Sequence, residues 1–152
     1  MEVVGSRKRT LIQADGDKVK LIIRRLRCRK ESCRRIHHEL PDIIVPYKRH
    51  ESETIEQIIS EPADEAERSY PCEASTVYRI KMWFSLLREY LESSIQALKE
   101  LYASDTVLYA RLCGLLPLHA VMRRTDGWLK RLVRIVVNSG RWPHTRSAYA
   151  VR

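Results

Sequence analysis

No stretch of this chain approaches the roughly eighteen or more consecutive apolar residues that a membrane span needs. The opening residues, MEVVGSRKRTLIQ, lack the apolar core of a secretory leader, so a cytoplasmic protein with no membrane partner is expected. Glycine is scarce, at five residues, and none of it forms a Gly-rich phosphate loop. There is no nucleophile elbow and no helical His-Glu-x-x-His. Asp15, Asp17, Asp42 and Asp126 fall in turn-like contexts without a spacing that implies a two-metal site. The chain is therefore read as a non-enzyme. Four cysteines in a basic, cytosol-like chain do not make a disulfide framework. Internal repeats and low-complexity tracts are absent from the sequence.

What is present is charge. The 152 residues are 44% hydrophobic, enough for a core, and 31% charged. Lys and Arg number 28 against 19 Asp and Glu, a formal net charge of +9 that favours an anionic partner, nucleic acid first among them. A basic surface serving only solubility is the plainer alternative. The excess is uneven. Residues 1–50 carry 14 basic and six acidic residues, residues 51–70 one and seven, and residues 71–152 thirteen and six. Two basic modules, 1–50 and 51–152, are thus expected, the second beginning with an acidic stretch.

Residues 8–13 and 18–27 read as strands flanking Ala14-Asp15-Gly16-Asp17, since glycine accepts the positive φ of a hairpin turn. A third strand is expected at 36–39. Pro41 and Pro46 bound an extended connector, PDIIVPYKRH. From Ser52 the period turns helical: Ile55, Ile58 and Ile59 share a face, and Thr54 with Gln57 suits a capping box. Residues 61–72 read as a polar connector. Ser75 suits the N-cap of a long helix to about residue 102, with Ile80, Trp83, Phe84, Leu87, Leu91, Ile95, Leu98 and Leu101 at threes and fours. Two more helices are expected, near 105–116 and 127–138, the latter closed by Gly140. The tail, GRWPHTRSAYAVR, reads as irregular. The fold class is α+β: a small N-terminal β-hairpin or ribbon, then a mostly α-helical bundle with a helix-turn-helix-like unit.

Residues 27–41, RCRKESCRRIHHELP, gather Cys28, Cys33, His37 and His38. Thiolate and imidazole are favoured zinc ligands, and C-x4-C lies within the tolerated spacing. On a strand His37 and His38 point to opposite faces, so one of them would join the same ion. That gives three local ligands for a Zn2+ ion, with Cys72, Cys113, water or a second copy as the fourth. A metal-free hairpin with two thiols and two surface histidines is the alternative. The arginines around this knuckle, Arg24, Arg25, Arg27, Arg34 and Arg35, form a basic cluster with Lys48 and Arg49 of the connector.

The helix beginning STVYRIKMWF follows an acidic helix and a short connector, an order that suits a helix-turn-helix. Thr76 and Arg79 suit base edges and Lys81 a phosphate. Trp83 and Phe84 are expected as core or interface anchors. Lys130, Arg131 and Arg134 line one face of a helix whose other side is apolar. They form either a phosphate-contacting stripe or an ordinary solvated face.

At LIIRRLRCRKESCRRIHHELPDIIVPYKRH, and again at STVYRIKMWFSLL and GRWPHTRSAYA, the sequence resembles a family of bacterial proteins common in Gram-positive genomes. They pair a zinc-ribbon-like hairpin with a helix-turn-helix region and are often associated with mobile elements. Members usually carry an earlier C-x2-C knuckle, where this chain has Met1-Glu2, and two residues, rather than RKES, between the later cysteines. These departures fit a shortened product or a diverged, metal-free domain. The resemblance implies a DNA-binding regulator or accessory protein of a mobile element, with double-stranded DNA as partner and with a homo-oligomer or a transposase as further associates. A protein–protein adaptor with incidental charge is the competing reading.

Overall fold

The structure is a computed structural model describing residues 1–33, 35–124 and 126–143, together with the backbone of 147–149. An N-terminal antiparallel sheet leads into six helices, an α+β fold. Strands β1 (Glu2–Ile12), β2 (Lys18–Arg27) and β3 (Ile36–Leu40) follow one another in space as in sequence. The first turn forms as expected. Gly16 takes φ +89°, Gln13 N–H donates to the Asp17 carbonyl, and the Asp15 carboxylate accepts from Asp17 N–H.

Helices α1 (Ser52–Ser60), α2 (Ala63–Ser69), α3 (Ala74–Leu101), α4 (Thr106–Cys113), α5 (Leu118–Arg124) and α6 (Trp128–Asn138) complete the core. Part of the expected polar connector is in fact α2: Pro62 precedes its first turn, where its missing N–H costs nothing, and Asp64 and Glu65 sit at the positive end of the dipole. α5 is likewise a helix the apolar period did not announce. α3 starts one residue before Ser75, from Glu73, and the Ser75 hydroxyl donates to the Glu73 carboxylate rather than capping. At α1 the Thr54 hydroxyl donates to the Glu51 carboxylate, and Gln57 takes no part in a box. Gly140 closes α6 as expected. It takes φ +72° while its N–H and that of Arg141 donate to Val137 and Val136, the paired bonds of a Schellman motif.

α6 lies at the centre. Trp128, Leu129, Leu132, Val133, Val136 and Val137 are all buried, against Ile55, Ile58, Phe84, Leu91, Ile95 and Leu98 of α1 and α3. Each such side chain contributes roughly 1.5–3 kcal/mol by leaving water. The N-terminus of α6 is capped from a distance: Glu56 on α1, only 7% exposed, accepts from Gly127 N–H at 2.6 Å and Leu129 N–H at 2.8 Å. Burial pushes the Glu56 carboxyl up, and the two N–H donors pull it back.

The tail contains a short fourth strand, β4 (Ser147–Tyr149), where an irregular segment was expected. It pairs in parallel with β3, Glu39 facing Ala148. Parallel strands need a long crossover, and here the whole helical bundle is that crossover. Contacts accordingly run across residue 50: Arg134 donates to both carboxylate oxygens of Asp42 at 3.0 Å, and Leu11, Ile23 and Leu40 share one core with the helices. No helix among the described residues is long and apolar enough to cross a membrane.

Candidate nucleic-acid interface

One face of the sheet is mixed in character. It carries Leu11, Ile23 and Leu40, all buried. The same face carries Arg7, Arg9, Arg25 and His38 among and beside them. The register explains this. Arg7 stands opposite Ile23 and Arg9 opposite Leu21, while Arg25 stands opposite Gly5 on one side and His38 on the other. Alternation along each strand then aims these four side chains the same way.

Residues 46–49 form the facing wall. The enclosed cleft is about 1000 Å³, lined by Arg7, Lys8, Arg9, Lys18, Arg25, Lys48 and Arg49 without an Asp or Glu among its described lining residues. Arg9 ties the two walls together: its guanidinium donates to the carbonyls of Val45, at 3.2 Å, and Lys48. Between those carbonyls Tyr47 is held at φ +63°, its side chain at the rim. Behind the wall, the Lys48 ammonium sits 4.0 Å over the Trp83 ring, a cation–π contact, and burial lowers its pKa.

The field in the cleft registers on His38. Burial, then the charges of Arg7, Arg25 and Arg9, hold its imidazole below the usual 6.5. Like charges gathered this closely disfavour the fold, and a bound anion relieves them. An anion in the cleft should therefore raise the His38 pKa. The bound state then holds more protons than the free state at pH values around and below 6.5, so affinity rises as pH falls through that window. Anisotropy titrations with a labelled oligonucleotide at pH 7.5 and 5.5 check this, and His38→Gln should remove the extra pH dependence.

The structure distributes the expected basic residues widely. Arg25 and Arg49 line the cleft, and Lys48 reaches it from the side. Arg24 lies on the opposite face of the sheet, paired with Glu39 through two hydrogen bonds, one of 2.9 Å. Arg27 and Arg35 are exposed at the β2–β3 hairpin, and Arg34 lies outside the described residues. In α3, Thr76 is half-buried and Arg79 exposed, while the Lys81 ammonium donates to the Glu61 carbonyl. On α6, Arg134 is held by Asp42, Arg131 donates to the carbonyls of Gly127 and Asp126, and Lys130 borders a hollow rich in Glu and Asp. Arg7, Lys8, Arg9, Lys18 and Tyr47 were absent from the sequence-based site. The signal for Arg7 and Arg9 was their i, i+2 spacing on a strand, which places both on one face.

Of the four expected zinc ligands, Cys28 and Cys33 come close together at the hairpin tip. The Arg35 backbone holds the Cys33 thiol below its usual value, against burial, with Cys28 and the nearby Arg35 and Lys30 charges adding to the effect. His38 faces the cleft and His37, its neighbour along β3, the other side. The described residues contain no group of three or more His, Cys, Asp or Glu placed to hold an ion. A tetrahedral site takes four ligands, and the pair supplies two.

A family model described as Domain of unknown function (DUF6431) matches residues 1–80, just over half of the chain. The chain belongs to this family. The DUF6431 segment contains both walls of the cleft and ends within α3. No curated protein and no solved structure matches the chain.

Proposed function

We propose that this DUF6431 protein binds DNA by neutralising phosphates along the cleft, as a regulator or accessory factor of a mobile element. The observation that carries the reading is the cleft itself, where Arg7, Arg25 and Arg49 stand beside Arg9 with no lining carboxylate among the described residues. Around α6 the basic residues have acceptors nearby, as where Asp42 holds Arg134. In the cleft the described lining residues supply no carboxylate, and Arg9 donates to backbone carbonyls. The arrangement of α2 and α3 supports a helix-turn-helix-like contribution. Residues 70–73 join the two helices, and Thr76 and Arg79 stand in the first two turns of α3. The β1–β2 turn packs against the same joint: a Cβ at Gly16 would stand 3.1 Å from Pro71. That contact brings the start of α3 near the Ile12–Lys18 end of the cleft.

Binding of this kind releases counterions. With about four phosphates neutralised, raising salt from about 50 to 200 mM should weaken affinity on the order of 100-fold. Anisotropy titrations of a labelled duplex and a labelled single strand at the two concentrations measure it, and the failure of both to bind at low salt sinks the reading.

One observation favours a second reading, a protein–protein adaptor. Tyr78, Met82 and Leu86 repeat every four residues on α3 and are all exposed, Leu86 at 78%. Self-association in sedimentation that persists when the cleft's charge is reversed is the signature of that reading.

A further inference from the structure

We infer that the cleft takes a single unpaired nucleic-acid strand, with a base stacked on Tyr47 and phosphates held by Arg7 and Arg25. This rests on the reading of the cleft as a phosphate-binding surface and specifies what enters it.

The shape of the cleft selects the ligand. Reading a duplex requires the protein to protrude, as when a helix fills the roughly 12 Å major groove. Here the protein is concave, so the ligand must protrude. A duplex keeps its bases stacked inside and offers a cleft only its phosphate ridges. A single strand offers a backbone and free bases, and a cleft of about 1000 Å³ has room for a few nucleotides.

The chemistry of the lining selects the same ligand. The cations alternate with apolar and aromatic surface: Ile23 and Leu40 lie in the floor, Pro46 and Tyr47 in the wall. Phosphate contacts interleaved with stacking platforms are the general device for strands without base pairing. A pure phosphate clamp needs no aromatic.

The way Tyr47 is presented fits it too. Tyr47 as a residue is 70% exposed, and its backbone occupies the left-handed region that non-glycine residues avoid. Three bonds keep it there: Arg9 donates to the carbonyls of Val45 and Lys48, and Lys48 N–H donates to the Val45 carbonyl at 3.1 Å. The platform is set before any ligand arrives, which lowers the ordering cost of binding.

The test uses the full chain and three labelled probes of equal length: oligo-dT, oligo-U and a DNA duplex. Single strands, DNA or RNA, should bind more tightly than the duplex. Tyr47→Ala should weaken single-strand binding about tenfold, within the range for losing one base stack, and change duplex binding less than twofold. Tyr47→Phe should bind as wild type. Tyr47→Gly relieves the positive φ, so it should show the same loss as Tyr47→Ala without loss of thermal stability, separating stacking from folding. A duplex bound as tightly as the single strands, with Tyr47→Ala neutral on all probes, overturns the inference while leaving the phosphate-binding reading intact. Failure of all three probes to bind at low salt overturns both.

Discussion

Reversing two charges, Arg7→Glu with Arg25→Glu, should reduce nucleic-acid affinity at low salt by at least about 100-fold. Each lost phosphate contact removes close to one unit from the salt slope, and each new carboxylate repels the backbone as well. The double variant should therefore show a slope shallower by about two. The fold should tolerate the change. Arg7 is exposed, Arg25 is half-buried, and both contribute to a cluster of like charge that folding does not favour. The His38 imidazole should also move back toward its ordinary value, because two of the charges that depress it are gone. Arg24→Gln is the matched control: it lies on the other face and is already paired with Glu39, so affinity should change less than twofold. Wild-type affinity in the double variant would remove the cleft from the function.

Glu56→Ala should be the most damaging single change to stability outside the apolar core. Gly127 N–H and Leu129 N–H have the Glu56 carboxylate as acceptor at the start of α6, and the bond to Leu129 is buried. Removing the acceptor costs the desolvation of these donors, roughly 1–3 kcal/mol for each buried group, beyond the ordinary loss of a cap. A total of about 2–4 kcal/mol corresponds to a melting point lower by about 5–15 °C for a chain of this size. Glu56→Gln should fall between the two, since it keeps one acceptor and turns an amide N–H2 toward the other donor. Thermal melts followed by circular dichroism measure both variants. A melting point within about 2 °C of wild type for Glu56→Ala would mean that α6 is capped adequately without it.

The elements legible in the sequence were those fixed by local chemistry. The Asp15-Gly16 turn, the apolar period of α3, and Gly140 after α6 all act within a few residues of themselves. What stayed hidden depends on distant partners. Lys130, Arg131 and Arg134 read as one basic face, but Asp42, 92 residues from Arg134, draws that arginine inward. Glu56 read as one more acid in an acidic stretch, because its partners are 71 and 73 residues away. The cleft was half visible: Arg25, Lys48 and Arg49 stood out in basic runs, while Arg7 and Arg9 joined them only through the register that sets Gly5 against Arg25. Four Cys and His residues within eleven positions suggested one site with a single histidine in it, but His38 lines the cleft and the described residues bring no third ligand to the cysteine pair.

The capping of α6 by Glu56 and the seating of β4 beside β3 also govern how the protein is made. When residues 1–80 leave the ribosome, the apolar face behind the cleft and the Glu56 carboxylate still await α6. β3 is paired on one side only until residue 149 has been synthesised. Contacts this distant in sequence close slowly, since the loop entropy must be overcome before they stabilise anything. The cationic strands thus emerge together and early, before α6, which completes the core they share, has been made.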